Sequence, residues 1–314
     1  FWIMIINTGS RTDIPAYFSD WFFNRIKEGY VLVRNPYYPF QVTKYLLDPK
    51  VVDAIIFCTK NPEPMLGRID QLSGFSTLWF VTITPYGKEI EPFVPEKDQV
   101  LASFRRLSKA VGIDRIIWRY DPVFLSNIYP ADCHIRCFEK MAKRLNGYTG
   151  QCVVSFIDLY EKTKRNFPEA ENVAWKEQKY LIEAFGEIAA CNHLQIHLCC
   201  EDKRLVGEHV DAQGCMSKEV LERAIGQKLD VPKRKPARAE CSCLLGADIG
   251  AYNTCGHGCL YCYANYDRQT VLANRKMHDK NSPFLTGGCR EGDVVKDAEQ
   301  KSWRNGQMSI FDMM

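Results

Sequence analysis

Three cysteines crowd into 254-TCGHGCLYCYAN-265, at Cys255, Cys259 and Cys262. Composition alone would supply the spacing C-x3-C-x2-C far less than once in a chain with fourteen cysteines among 314 residues, so it signals ligation. Two metals compete for it. Structural zinc wants four protein ligands closed into a tetrahedron. A [4Fe–4S] cluster takes one cysteine per iron, so three cysteines leave one iron open to a small molecule. Three ligands at this spacing favour the cluster. Gly256 and Gly258 suit a backbone that wraps closely around an inorganic core, with positive φ expected.

Four further thiols, Cys200, Cys215, Cys241 and Cys243, lie in polar or glycine-containing contexts. They form a candidate second site for a second [4Fe–4S] cluster or zinc, since S4 donor sets suit either; unligated thiols are the alternative. Cys200 with Glu201 is alternatively a catalytic pair. Cys58, Cys133, Cys137, Cys152, Cys191 and Cys199 sit in apolar or helical surroundings and read as buried free thiols, and Cys289 has no evident partner.

The remaining candidates follow apolar runs. They are Arg11 and Asp13 in 7-NTGSRTDIP-15, Lys60 and Asn61 in 58-CTKNP-62, Thr82 and Thr84, Arg119 and Asp121 in 119-RYDP-122, Ser155 and Asp158, and His197 before 200-CED-202. Each alone reads as a cap, a turn or an ion pair. Together, at equivalent positions after strands, they describe a lined mouth, with Arg11, Asp13, Lys60, Asn61, Arg119 and Asp121 holding cofactor or substrate. His197 also suits a hydrogen-bonded core histidine.

The elements that must position them are short apolar runs: 2-WIMII-6, 30-YVLV-33, 52-VDAIIF-57, 77-TLWFVTI-83, 115-RIIW-118, 152-CVVSFI-157 and 194-LQIHL-198. They read as strands covered on both faces. Amphipathic helices fill the gaps: one opened by Pro15 and stopped by Gly29, one capped by Asp98 and stopped by Gly112, and one ending at Asn146-Gly147. Seven strand–helix units predict an α/β fold, a parallel (β/α) barrel, complete or partial, whose active site lies beyond the C-terminal ends of the strands. The expected organisation is a barrel core over 1–204, a connecting segment over 205–240, and a cysteine-rich cluster-binding segment with a tail over 241–314. The connecting segment contains a short helix over 217–227 and the basic linker 231-VPKRKPARA-239.

A formal net charge of +3 is too small to dictate a polyanionic partner. Clustered rather than dispersed cysteines argue for metal binding in a reducing compartment over a secreted disulfide framework. The opening FWIMII is too short for a signal h-region and lacks a basic n-region; Met4 is an expected start and cytoplasm the expected location. No run approaches a membrane span. In the tail, Gln307, Met308, Ile310 and Phe311 make a segment similar to the Q-L-x-L-F peptide by which bacterial replication and repair proteins dock on the DNA polymerase sliding clamp. The alternative is a tail packed on its own domain. Clamp docking would place the protein on DNA. The basic linker and many aromatics are compatible with nucleic acid.

Cys255, Cys259, Tyr261 and Cys262 resemble the C-x3-C-x-aromatic-C motif of the radical S-adenosylmethionine superfamily. That resemblance implies three thiolates holding a [4Fe–4S] cluster and S-adenosylmethionine chelating the open iron. Its reductive cleavage would give a 5′-deoxyadenosyl radical, with Tyr261 near the adenine, a reductant such as flavodoxin or ferredoxin, and Cys200 as a hydrogen donor. Thr82, Thr84, Ser155, Asp158 and His197 would complete the cofactor's surroundings. Here the motif follows the last strand instead of the first, and no Gly-Gly-Glu stretch follows a second strand. SRTDIPA, CTKNPEPML, IIWRYDP, SFIDLY and DIGAYNTCGHGCLYCYAN resemble, over nearly the whole chain, an uncharacterised family, domain of unknown function 1848, with such a cysteine cluster at its C-terminus. A barrel can receive its cluster loop from either chain end, because both ends meet at one seam. Two other readings stay open: a non-catalytic iron–sulfur or zinc module docking on a DNA-associated partner, and an electron-transfer or sensor protein.

Overall fold

Strands buried on both faces form the centre of the fold. The computed structural model describes residues 4–232, 243–244 and 246–304. Its strands are β1 (Ile5–Asn7), β2 (Tyr30–Arg34), β3 (Gln41–Leu46), β4 (Ala54–Thr59), β5 (Thr77–Thr82), β6 (Ile116–Val123), β7 (Gln151–Phe156), β8 (Gln195–Leu198), β9 (Val210–Asp211), β10 (Ala247–Asp248) and β11 (Val294–Asp297). Eight of them form one all-parallel sheet in the order β10-β1-β4-β5-β6-β7-β8-β9. Every residue of β7 is buried, as a parallel strand covered on two sides requires.

Side-chain alternation gives the two faces different partners. Phe57, Trp79 and Trp118 pack on the outer helices through Trp21, Phe104 and Phe138; Phe57 stacks on Trp79 at 3.9 Å and Trp118 on Phe138 at 4.7 Å. Ile56, Phe80, Ile117 and Val153 point the other way, where Val220 and Leu221 cover them. These belong to the helix Lys218–Ile225, which Ser217 caps by accepting the Val220 N–H and which ends at Gly226 in the left-handed region, φ 75°. Cys58, Arg119, Ser155, His197 and Cys199 continue this inner face by the same alternation.

Three expectations are corrected. The 30–33 run is not a parallel strand: β2 pairs antiparallel with β3 in a separate sheet of order β11-β3-β2. Only Val31 of β2 is buried, too little apolar cover for a central position. The helix opened by Pro15 divides into Ile14–Tyr17 and Ser19–Glu28, because Phe18 leaves helical geometry at φ −134° and sets its ring edge-on to His278. Asp98 lies within the first turn of Lys97–Val111, preceded by Glu96 as cap, and pairs with Arg144. Gly29 and Gly112 end their helices as expected, and Ala131–Leu145 forms.

The sheet does not close by hydrogen bonds among the described residues: β9 and β10 are its two edges. Since β10 pairs with β1, the chain after β10 emerges beside the chain after β1. No helix among the described residues is long and apolar enough to cross a membrane. Cys241, the linker residues 233–239 and the tail residues Gln307, Met308, Ile310 and Phe311 lie outside the described residues.

Candidate functional site

The chain leaving β1 runs tightly across β4. A Cβ on Gly9 would stand 2.3 Å from that of Cys58, so only glycine fits. Ser10 then donates its backbone N–H to Asp248 at the end of β10, 2.7 Å. Thr254, just before the triad, donates to Thr12 Oγ1 at 2.9 Å. Asp13 is the pin between these loops. Its Oδ1 accepts the Ala16 N–H at 3.0 Å, and its Oδ2 accepts the Lys60 N–H at 2.8 Å and meets His257 Nε2 at 2.8 Å. The other ring nitrogen of His257 meets the Tyr17 hydroxyl at 3.0 Å. A histidine between the first two cysteines thus fixes the triad loop to the loop after β1.

Glycine is required twice inside the triad. A Cβ on Gly256 would lie 2.8 Å from the Tyr17 ring and from Arg275 Nη1, and Gly258 has φ +68°. Burial pushes all three thiols up. Cys255 rises well above the usual range, with Asp13 adding to burial, and Cys259 rises to about 12 although Lys60 opposes burial. Cys262 is raised by burial against the N–H groups of Ala264 and Asn265. Proximity of the other sulfurs adds to the rise of Cys255 and Cys259, yet no thiol–thiol hydrogen bond joins the three among the described residues. They stand near but apart.

The surroundings fit a metal cluster. Thiols held protonated by burial become thiolates when a cation arrives, and Ala264 N already donates to Cys262 Sγ at 3.4 Å. Asn265 Oδ1 and Arg275 Nη1 are buried without a hydrogen-bond partner beside this loop, although the Arg275 guanidinium lies over the Tyr17 ring at 4.4 Å. Such groups are costly unless something satisfies them. As they stand, no three or more Cys, His, Asp or Glu side chains among the described residues are already arranged to hold a metal ion.

Behind Cys259 lies a charged hub that nothing in the local sequence announces. Glu91 is 1% exposed. Its Oε1 accepts from Lys60 Nζ at 2.8 Å, from Thr84 at 2.7 Å and from the Tyr261 hydroxyl, and its Oε2 accepts from Lys97. Burial alone would raise this carboxyl, but Lys60 and Lys97 hold it down to about 2. Lys60 is raised, because Glu91 and Cys259 outweigh its desolvation, whereas burial keeps Lys97 lowered despite Glu91. Tyr261 packs 5.9 Å from Tyr86 and 6.3 Å from Phe124, with Lys60 Nζ 5.5 Å above its ring.

A second group gathers on the inner face. Asp121 pairs with Arg119 and accepts from Ser155. Glu201 accepts the Phe156 N–H at 2.7 Å; burial, with Asp158, Cys199 and Asp121 nearby, pushes its carboxyl up to about 8. Cys199 Sγ lies 3.6 Å from Cys215 Sγ, which lies 3.4 Å from Cys243 Sγ. Hydrogen bonds from Cys200, Cys215 and Cys243, and then Arg119, hold Cys199 down as the thiolate of this set. The neighbouring Cys58 thiol is pushed up to about 11 by burial.

The structure therefore brings Asp13, Lys60, Thr84 and Tyr261 to the triad, and Arg119, Asp121, Ser155 and Glu201 to the thiol set. Other candidates have different surroundings. His197 has both ring nitrogens taken, by Asp211 at 3.0 Å and Gln151 at 3.1 Å. Asn61 accepts the Glu63 N–H at 3.2 Å, a turn contact. Arg11 lies over Tyr252 at 5.5 Å, Thr82 ends β5, and Asp158 accepts from the Tyr160 hydroxyl at 3.0 Å. Glu91, Lys97, Tyr17, His257 and Cys199 were not singled out by sequence. His257 was visible inside the motif and Cys199 beside Cys200; Glu91 and Lys97 had no local signal.

The family model Domain of unknown function (DUF1848) matches residues 5–264, and the chain belongs to that family. No curated protein and no solved structure matches it.

Proposed function

We propose that this family member is a radical S-adenosylmethionine enzyme, with a [4Fe–4S] cluster on Cys255, Cys259 and Cys262. The observation that carries this reading is the triad's placement: three half-buried thiols on one glycine-spaced loop after a parallel strand, with no thiol–thiol hydrogen bond among them. We take the eight-stranded parallel sheet as an incomplete (β/α) barrel, its seam between β9 and β10. When bound, the cluster and S-adenosylmethionine supply one-electron reductive cleavage to a 5′-deoxyadenosyl radical.

The chain's own residues have separable tasks. Asp13 and His257 hold the loop. Lys60 sets a positive charge beside Cys259, which offsets cluster charge and favours electron arrival. Glu91 keeps Lys60, Lys97 and Tyr261 in fixed register. Arg119, Asp121 and Ser155 present a polar wall to the substrate, and Glu201, protonated at neutral pH, holds a proton there. The reductant is a small carrier such as flavodoxin or ferredoxin in a reducing cytoplasm. A nucleic-acid substrate is supported by Tyr37, Tyr38 and Phe40 at the β2–β3 turn, 79%, 63% and 59% exposed, since exposed aromatic faces stack on bases.

The test is anaerobic purification or reconstitution, iron counting, and reduction in the presence of S-adenosylmethionine. About four irons at the triad, a broad band near about 400 nm and release of 5′-deoxyadenosine are expected. A cluster-loaded protein that releases none would favour the electron-transfer reading, and stoichiometric zinc on the triad would favour the non-catalytic module. For the substrate class, single-stranded oligonucleotide binding should weaken about tenfold in Tyr37→Ala/Tyr38→Ala; unchanged binding removes the stacking surface.

A further inference from the structure

We infer that Cys199, Cys215 and Cys243, with Cys200 as the fourth sulfur, form a second metal site that takes a single tetrahedral ion, zinc, and not a second iron–sulfur cluster. The sulfur separations decide between them. Zinc–sulfur bonds of about 2.3 Å set tetrahedral sulfurs about 3.8 Å apart, and the observed separations are 3.6 and 3.4 Å. The Cys199–Cys215 and Cys215–Cys243 pairs need to open by only a few tenths of an ångström to reach that spacing. A cubane would put each cysteine on a different iron, at separate corners, too far apart for S–H···S contact. The 255–262 sulfurs make no such contact among the described residues; this set does.

Two more observations point the same way. Cys200 has φ +62°, a region that residues other than glycine seldom adopt and keep only where the surroundings enforce it. That backbone keeps two consecutive cysteines in one sulfur set, with Cys200 bonded to Cys199. The Met216 N–H donates to Cys243 Sγ at 3.3 Å, the kind of outer contact that steadies a ligating thiolate. Met216 and Leu244 wall the set with apolar surface.

Placement gives the site a task. Cys199 stands at the end of β8 on the inner face, while Cys215 and Cys243 flank the helix Lys218–Ile225 that covers that face. One ion would clamp the cover to the sheet. It would also join segments next to β9 and β10, the edges that no ladder connects. The inference is independent of the chemistry proposed for the triad.

Metal analysis of the anaerobically purified full chain tests it. About one zinc per chain is expected beside the iron. Zinc should fall at least tenfold in Cys215→Ser with iron retained, and should persist in the Cys255→Ser/Cys259→Ser/Cys262→Ser variant as iron is lost. Cobalt(II) loading of the wild type, which needs no variant to fold, should give the intense d–d absorption of tetrahedral thiolate. Three outcomes overturn the inference: no zinc together with no tetrahedral cobalt signal, loss of zinc with the triad, or about eight irons per chain that halve in Cys215→Ser.

Discussion

The two sulfur-rich regions are held in opposite ways. Protein contacts pin the 255–262 loop from several sides, through Thr254 to Thr12, His257 to Asp13 and Tyr17, Tyr261 to Glu91, and Tyr263 to the Ser10 carbonyl at 2.7 Å. Its sulfurs are left apart. In the Cys199 set the sulfurs are themselves the contacts, joining segments 16 and 28 residues apart. A scaffold that fixes the backbone can leave a coordination position open for chemistry; one whose ligands also fasten its segments together suits a closed, four-ligand ion. The carboxyls beside them differ in parallel. Glu91, between two lysines, is held at about 2, and Glu201, raised by burial and then by acidic neighbours, rises to about 8.

Cysteine substitutions break this comparison most severely. Cys259→Ala should lower 5′-deoxyadenosine formation by more than about a hundredfold, because the cluster loses one of its three cysteine ligands. Cys215→Ser should keep the iron and most of the cleavage per iron, but unfold at lower temperature. Iron content, product release and thermal melts of the two variants separate the roles. Equal loss of cleavage per iron in both would make the regions one functional unit.

Glu91→Gln tests the hub that supports the open loop. It leaves Lys60 and Lys97 buried with one formal counter-charge fewer, a change that costs about 3 kcal/mol. The pH dependence has a definite sign. A carboxyl lowered in the fold to about 2 adds stability that is complete above its unfolded value of about 4.5 and disappears as pH falls towards 2. Wild type should therefore lose about 2–3 kcal/mol over that window, and Glu91→Gln should lose correspondingly less. Denaturant melts at stepped pH measure it; parallel curves for the two proteins would remove Glu91 as an ionised hub.

What the sequence made legible follows the range of the interactions. Six of the seven expected strands join the parallel sheet because apolar runs buried on two faces are a local signal. The 30–33 run misleads, since four apolar letters do not reveal that only Val31 is covered. The triad is legible because its ligands share one loop. The Cys199 set is not, because its sulfurs meet through the packing of helix Lys218–Ile225 on the inner face, and Cys199 reads as one more apolar strand-end residue. Glu91 is hidden for the same reason: its partners come from the chain after β4, after β5, and from the triad loop itself. Asp13 was found, but as a mouth residue; in place, its oxygens serve the loop.

The smallest expected effect bears on how far the open loop depends on its pins. His257 ties Asp13 to Tyr17 without touching the sulfurs through its ring. His257→Phe keeps the ring volume and removes both polar contacts, leaving buried partners unsatisfied at a cost of about 1–2 kcal/mol. His257→Gln retains one donor and one acceptor and should recover part of that. If the loop is preorganised by the protein, the Phe variant should take up iron severalfold more slowly and lose it faster to a chelator, with Gln intermediate, while zinc in the Cys199 set stays unchanged. Wild-type iron kinetics in the Phe variant would mean that metal–sulfur bonds organise the triad as well. The two regions would then differ in ligand spacing but not in what holds them.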